Sequence, residues 1–236
     1  MLRLHIANKN YSSWSLRPWI LLRELEIPFE EQLTPFGDGN GTSSFAAFSP
    51  SGRVPCLVHE ELTVWDSLAI IEYLAEADPR VWPIQRERRA WARSVAAEMH
   101  SGFSHVRNIC GMNCGLRVQM HQWSAPLLAE WRRIDAIWCE GIARFGGPFL
   151  AGTQFSAADA FFAPVAFRVQ SYSPRLSPDA QAYARRLLAL PHMVDWYESA
   201  LQETWRDEAH DQEARAVGTV IQDLRPGGPD EPDHMG

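Results

Sequence analysis

A change of hydrophobic period inside the first 28 residues constrains this chain more than any other feature. Leu2, Leu4 and Ile6 alternate with Arg3 and His5, the two-residue period of a half-buried strand, and the polar run from Ala7 to Asn10 ends it. From Leu16 the spacing becomes helical. Leu16, Trp19, Ile20, Arg23 and Glu24 recur every three or four residues, Leu21, Leu22 and Leu25 widen the apolar face, and Ile27-Pro28 closes it. Between the two patterns lie Ser12, Ser13 and Ser15, so three hydroxyls sit where a helix begins. The orphan amides and positive dipole end of such a terminus attract negative charge, and a serine there can hydrogen-bond a thiolate or an oxyanion. A serine in this position can also do no more than cap the helix.

Charge and composition exclude several classes of function. The chain has 236 residues, 46% hydrophobic and 22% charged, enough for one or two cores. A net charge of −7 argues against general affinity for nucleic acid or an anionic membrane. Met1 leads directly into the first strand and no apolar run approaches the roughly 18 residues of a membrane span, so no signal peptide and a cytoplasmic location are expected. Cys56, Cys110, Cys114 and Cys139 lack disulfide-framework spacing. Cys110 and Cys114 could share a helix face, but they have no second ligand pair nearby and the histidines form no His-x-x-x-His motif, so no metal site is expected. The Gly-x-Ser-x-Gly elbow of serine hydrolases is absent.

Further along, Ser51-Gly52-Arg53-Val54-Pro55-Cys56-Leu57-Val58 sets a proline against the start of an apolar strand, where it cannot donate a ladder bond; a special X-Pro geometry follows. Val64-Trp65-Asp66-Ser67-Leu68-Ala69-Ile70-Ile71 reads as a strand end, an Asp-Ser cap and a buried helix. Phe155-Ser156-Ala157-Ala158-Asp159 is a capping-box pattern, and Leu190-Pro191 precedes Trp196 at Pro-x-x-x-x-Trp spacing.

In this order the motifs resemble the glutathione S-transferase superfamily over about residues 1 to 205. The resemblance implies an α/β thioredoxin-like N-terminal domain (1–76), a linker (77–83) and an all-α helical C-terminal domain (84–216). Helical spacing covers 86–107, 122–144, 157–170, 178–188 and 192–202; tryptophans such as Trp131, Trp138 and Trp196 then fall in the core. Residues 37–44 read as a polar, mobile segment, and 217–236, rich in Gly, Pro and Asp, as a flexible tail.

Within the superfamily, Ser12-Ser13-Trp14-Ser15-Leu16-Arg17 is most similar to the zeta-class loop Ser-Ser-Cys-Ser-Trp-Arg of maleylacetoacetate isomerases, with Trp14 in place of the Cys and Trp19 in place of a second Arg. By that resemblance Ser12, with Ser13 beside it, and Arg17 are the catalytic candidates, and glutathione is the co-substrate. A thiol of pKa ~8.5 is a few per cent ionised at neutral pH, and a charge-assisted bond from Ser12 supplies roughly 1.5 to 3 kcal/mol toward its thiolate. Ser13 then caps the helix or supports Ser12. Val54 beside Pro55 would pair with the backbone of the tripeptide, with Arg53 adjacent; Asp66 would meet its ammonium and Ser67 its γ-glutamyl carboxylate. The electrophile would lie near Trp14, His105, Arg107, Met112 and Asn113. The family further implies a homodimer. Three functions fit: a transferase, a glutathione-dependent cis-trans isomerase of maleyl compounds, and a non-catalytic interaction protein that kept the fold.

Overall fold

The computed structural model describes residues 1–37 and 44–228. Strand β1 (Leu2–Ile6) forms where the alternation places it, with Leu4 and Ile6 buried. It pairs in parallel with β2 (Phe29–Leu33) and antiparallel with β3 (Cys56–His59), which pairs antiparallel with β4 (Leu62–Trp65), giving the sheet order β2-β1-β3-β4. Helix α1 (Ser13–Glu24) connects β1 to β2, and α2 (Ser67–Ala77) follows β4. This is the thioredoxin-like layer the resemblance implies. Residues 38–43 of the segment expected to be mobile lie outside the described residues.

The second half is helical, with two departures from the sequence pattern. A single helix was expected over 86–107, but α3 (Arg86–Ser101) stops before Gly102, and Phe103 turns left-handed at φ 54° before α4 (Ser104–Ile109). At Gly102 a Cβ would stand 2.8 Å from the Glu98 carbonyl oxygen, so only glycine fits the stop. After it come β5 (Leu116–Met120), α5 (Ala125–Phe145), α6 (Ala157–Tyr172), α7 (Pro178–Leu188), α8 (Pro191–Gln202) and α9 (Glu208–Val217). Trp131, Trp138 and Trp196 are buried, as their spacing implies.

Helix α6 is the hub of this half. Its capping box forms as the sequence suggests: Asp159 accepts from the Ser156 amide (3.0 Å) and hydroxyl (3.1 Å), and also from the Leu150 amide (2.9 Å) and Tyr183 hydroxyl (2.9 Å). These bonds fix where α6 begins and which face it turns to α1.

The second departure is a β-pair: β5 lies inside the 84–216 domain expected to be all-α, because it finds a strand partner near the C-terminus. Part of the expected flexible tail is strand β6 (Gly218–Asp223), antiparallel to β5. The Gly, Pro and Asp content suggested disorder, yet Val220 packs on the core and Arg225 behind the strand is buried. Arg225 donates to Asp211 (2.6 Å), Asp223 (2.8 Å) and the Tyr11 hydroxyl (2.9 Å), and its side chain occupies the space a Cβ on Gly115 would need. Residues 229–236 lie outside the described part. Removing one partner of a buried pair strands the other charge, so Arg225→Met should lower the unfolding free energy by about 3–5 kcal/mol in urea titration. A freely moving tail would leave it within roughly 0.5 kcal/mol.

Candidate functional site

The loop between β1 and α1 opens onto two cavities that share Trp14, Arg53 and Val54. One, of about 400 Å³, is lined by Tyr11, Ser12, Ser13, Phe36, Phe45, Arg107, Met112, Arg168, His210 and Glu213 among others. The other, of about 250 Å³, is lined by Ser51, Pro55, Trp65, Asp66 and Ser67. The five residues singled out for glutathione, Arg53, Val54, Pro55, Asp66 and Ser67, therefore meet at one cavity. The Val54–Pro55 bond is cis. Asp66 sits at φ 74°, ψ 136°, unusual for a residue with a Cβ, and its carboxylate accepts from the Leu68 amide (2.8 Å) at the start of α2.

Ser12 and Ser13 differ in their bonds. Ser12 occupies the N-cap position of α1, but its side chain makes no capping bond; it donates to Ser15 Oγ (2.7 Å), which also accepts from the Ala7 amide (3.3 Å). Ser13 does not cap either. Its hydroxyl accepts from Arg168 Nη2 (3.2 Å), because α6 brings that guanidinium against the first turn of α1. Among the described residues, the helix thus begins with no side chain capping its amides.

Arg17 is fully buried one turn on. Its guanidinium lies 4.0 Å from the Trp14 ring centroid and 5.0 Å from that of Phe161, and Nη1 donates to Ser67 Oγ (3.4 Å). Arg107 covers the same indole at 5.4 Å. Burial, then the charges of Arg168 and Arg107, hold the Arg17 pKa well below its ordinary value. His100 closes the Trp14 edge at 5.4 Å with Nε2 3.7 Å from Asp66, and burial lowers its pKa.

Trp14, Arg107 and Met112 line the larger cavity as the sequence suggested, but His105 and Asn113 do not. His105 is an exposed residue paired with Glu130 (3.0 Å), since α4 turns it away after the break at Gly102. Asn113 is buried between Asn10 (3.0 Å) and Asp211 (3.2 Å), where it holds the loop to α9. Arg168, His210 and Glu213 were missed. Arg168 had a signal: after Asp159 it is the one charge in the apolar run of α6. His210 and Glu213 follow Asp207, an N-cap signal whose carboxylate accepts from the His210 amide (3.1 Å) at the start of α9. His210 stacks on Tyr11 (5.2 Å) and tilts against Phe36 (5.3 Å), completing the outer wall.

Two family models match, the N-terminal domain of glutathione S-transferases over residues 11–77 and the C-terminal domain over 89–199. The chain belongs to the glutathione S-transferase family. Among curated relatives, a maleylacetoacetate isomerase of Mus musculus is 25% identical over 172 residues, covering 70% of this chain and 77% of the relative. A probable maleylacetoacetate isomerase of Vibrio cholerae is 27% identical over 195 residues, covering 76% and 88%. A glutathione transferase homologue from Burkholderia gl BGR1, solved with bound glutathione, superimposes with a TM-score of 0.61 at 25% identity, covering 84% of this chain and 97% of that one. The transferase fold is shared, and the family relationship lies near the zeta class.

The serine loop is held from behind by Glu203, whose carboxylate accepts from the amides of Lys9 (2.6 Å) and Asn10 (3.2 Å), while Trp196 Nε1 donates to the Lys9 carbonyl (2.9 Å). Burial pushes the Glu203 pKa from 4.5 up to about 7, and that of Asp159 from 3.8 up to about 6. Both groups bind protons more tightly when folded, so this part of the stability is present below the unfolded pKa values and is lost as pH rises through the folded ones. Glu203→Gln should flatten the decline in stability between about pH 4.5 and 7, read from urea midpoints across that range. An unchanged pH slope would show that Glu203 titrates normally.

Proposed function

We propose that this chain, a glutathione-dependent enzyme of the transferase family, binds glutathione across the smaller cavity and attacks a small electrophile held in the larger one. One observation carries the reading: the uncapped start of α1, with Ser12 and Ser13, lies at the junction of the cavity lined by Val54, Pro55, Asp66 and Ser67 and the one lined by Arg107, Met112 and Arg168. The tripeptide would add a short strand along Val54, its ammonium meeting Asp66 and its γ-glutamyl carboxylate meeting Ser67 at the start of α2. Its sulfur then reaches Ser12. Ser15 keeps the Ala7 amide as a partner, so the Ser12 hydroxyl can turn to a thiolate without orphaning a buried acceptor. The glutathione bound in the Burkholderia relative supports the ligand.

The isomerase reading has its own support in Arg107 and Arg168, two cations on the larger cavity that suit an acidic electrophile, and in the maleylacetoacetate isomerase relatives. In that reaction glutathione adds to a maleyl double bond, rotation follows, and glutathione leaves unchanged. Among the described residues no helix is long and apolar enough to cross a membrane. We also propose a two-fold homodimer, supported by the exposed Leu62 and Trp65 of the edge strand β4. Light scattering at micromolar concentration should give twice the chain mass; a monomer mass rejects the dimer.

Retention on immobilised glutathione, with an ultraviolet thiolate signal from the bound tripeptide, is the expected result for either chemistry. No binding at millimolar glutathione overturns both. Ser12→Ala should raise the pKa of the bound thiol and reduce kcat/KM by about 10- to 100-fold, with little change in affinity at low pH, where the thiol is neutral. Product analysis with maleylpyruvate separates the chemistries: a stable thioether marks conjugation, and the trans isomer with glutathione recovered marks isomerisation.

A further inference from the structure

We propose that Arg168 is a positioning residue that sets the charge on the reacting sulfur by holding Ser13 and by placing a permanent cation behind it. The inference rests on the glutathione reading above and adds a group outside the serine loop. Arg168 is 3% exposed. Its Nε donates to the Cys110 carbonyl (2.8 Å) and Nη2 to Ser13 Oγ (3.2 Å), while Nη1 is buried at the cavity wall with no hydrogen-bond partner among the described residues.

Among the described residues no carboxylate pairs with this guanidinium. The contrast with Arg225 is direct: that arginine, also buried, is held by Asp211 and Asp223. Arg168 has instead Arg17 and Arg107 as charged neighbours, both of the same sign. The other ionisable groups around it stay neutral, since burial pushes the thiol of Cys110 up to about 12 and those of Cys114 and the Tyr172 phenol higher still. Glu213 lines the same cavity and its charge reaches the Tyr172 phenol, but among the described residues it makes no ion pair with Arg168. A buried, unneutralised cation destabilises a fold, and an anion arriving beside it relieves that cost.

The direction of the Ser13 bond specifies how the cation acts. A hydroxyl that accepts from a guanidinium keeps its own proton to donate, and its donor strength rises through polarisation along the chain of bonds. Arg168 therefore leaves Ser13 with a free proton beside Ser12, at the place assigned to the sulfur. It also adds a fixed positive field in a region of low dielectric. Ser12 supplies the contact, and Arg168 with Ser13 supplies the bias toward thiolate.

The test is a pH titration of the ultraviolet thiolate signal of glutathione bound to the full-length protein, with Arg168→Met, Arg168→Lys and Ser13→Ala alongside wild type. Arg168→Met should raise the bound-thiol pKa by about one unit, giving about tenfold lower kcat/KM at pH values below it and convergence with wild type at high pH. Binding of S-methylglutathione, whose sulfur carries no charge, should stay within about twofold. Arg168→Lys should restore part of the shift, and Ser13→Ala should reproduce part of the loss. Because Arg168→Met removes an unpaired charge, its melting temperature should match or exceed that of wild type. A bound-thiol pKa equal to wild type in Arg168→Met overturns the proposal. So does a loss confined to the KM of acidic electrophiles, which would assign the arginine to the electrophile. If Arg168→Met does not fold, Ser13→Ala decides alone: an unshifted thiol pKa there overturns the proposal. Failure of the wild-type protein to bind glutathione removes the glutathione reading and the inference together; binding with an unshifted variant removes the inference only.

Discussion

The packing of α1 between the sheet and α6 is the contact on which the rest of the molecule depends. On the sheet side, Leu16, Ile20 and Leu21 are buried with Leu4, Ile6 and Leu57 in one core. On the helical side, Phe161 and Arg168 of α6 meet Arg17 and Ser13. Covered on both sides, the helix buries every residue from Ser15 to Leu22 and exposes only Arg23 in its last turn, so it carries Ser15 and Arg17 as buried polar residues. Those polar groups are where the chain departs from a simple apolar core, and they cluster at the helix end that opens on the cavities. The capping box at Asp159 sets the phase of α6, which decides that Arg168 rather than a neighbour reaches Ser13.

Much of this was legible before any coordinates. The switch from two-residue to helical period located β1 and α1, and the Asp-Ser and Ser-x-x-Asp pairs located the starts of α2 and α6. These signals are local: each depends on a few residues whose backbone amides need a particular side chain nearby. Arg53, Val54, Pro55, Asp66 and Ser67 share one cavity because the β3–β4 hairpin and the start of α2 are close in sequence as well as in space.

What escaped the sequence depends on long-range partners. Leu116 to Met120 alternates in the manner of a strand, but its partner begins at Gly218, in a segment whose composition reads as disorder. Arg225 becomes a structural residue only when Asp211 and Tyr11 are brought to it. His210 and Glu213 reach the larger cavity because α9 is anchored in this way, beyond residue 199, where the family match ends. The C-terminal segment thus shapes a wall of the larger cavity. The chain treats its buried arginines in two ways: Arg225 is neutralised and ties elements together, while Arg17 and Arg168 make no ion pair among the described residues around the serine loop.

The central claim is that the uncapped start of α1 receives the sulfur of glutathione. A crystal structure of the glutathione complex tests it most directly. The account predicts the sulfur within about 3.5 Å of Ser12 Oγ, the cysteinyl backbone paired with Val54, and the γ-glutamyl carboxylate at Ser67. Glutathione bound with its sulfur away from the Ser12-Ser13 turn, or lying in a cavity that does not include Val54 and Ser67, would contradict it.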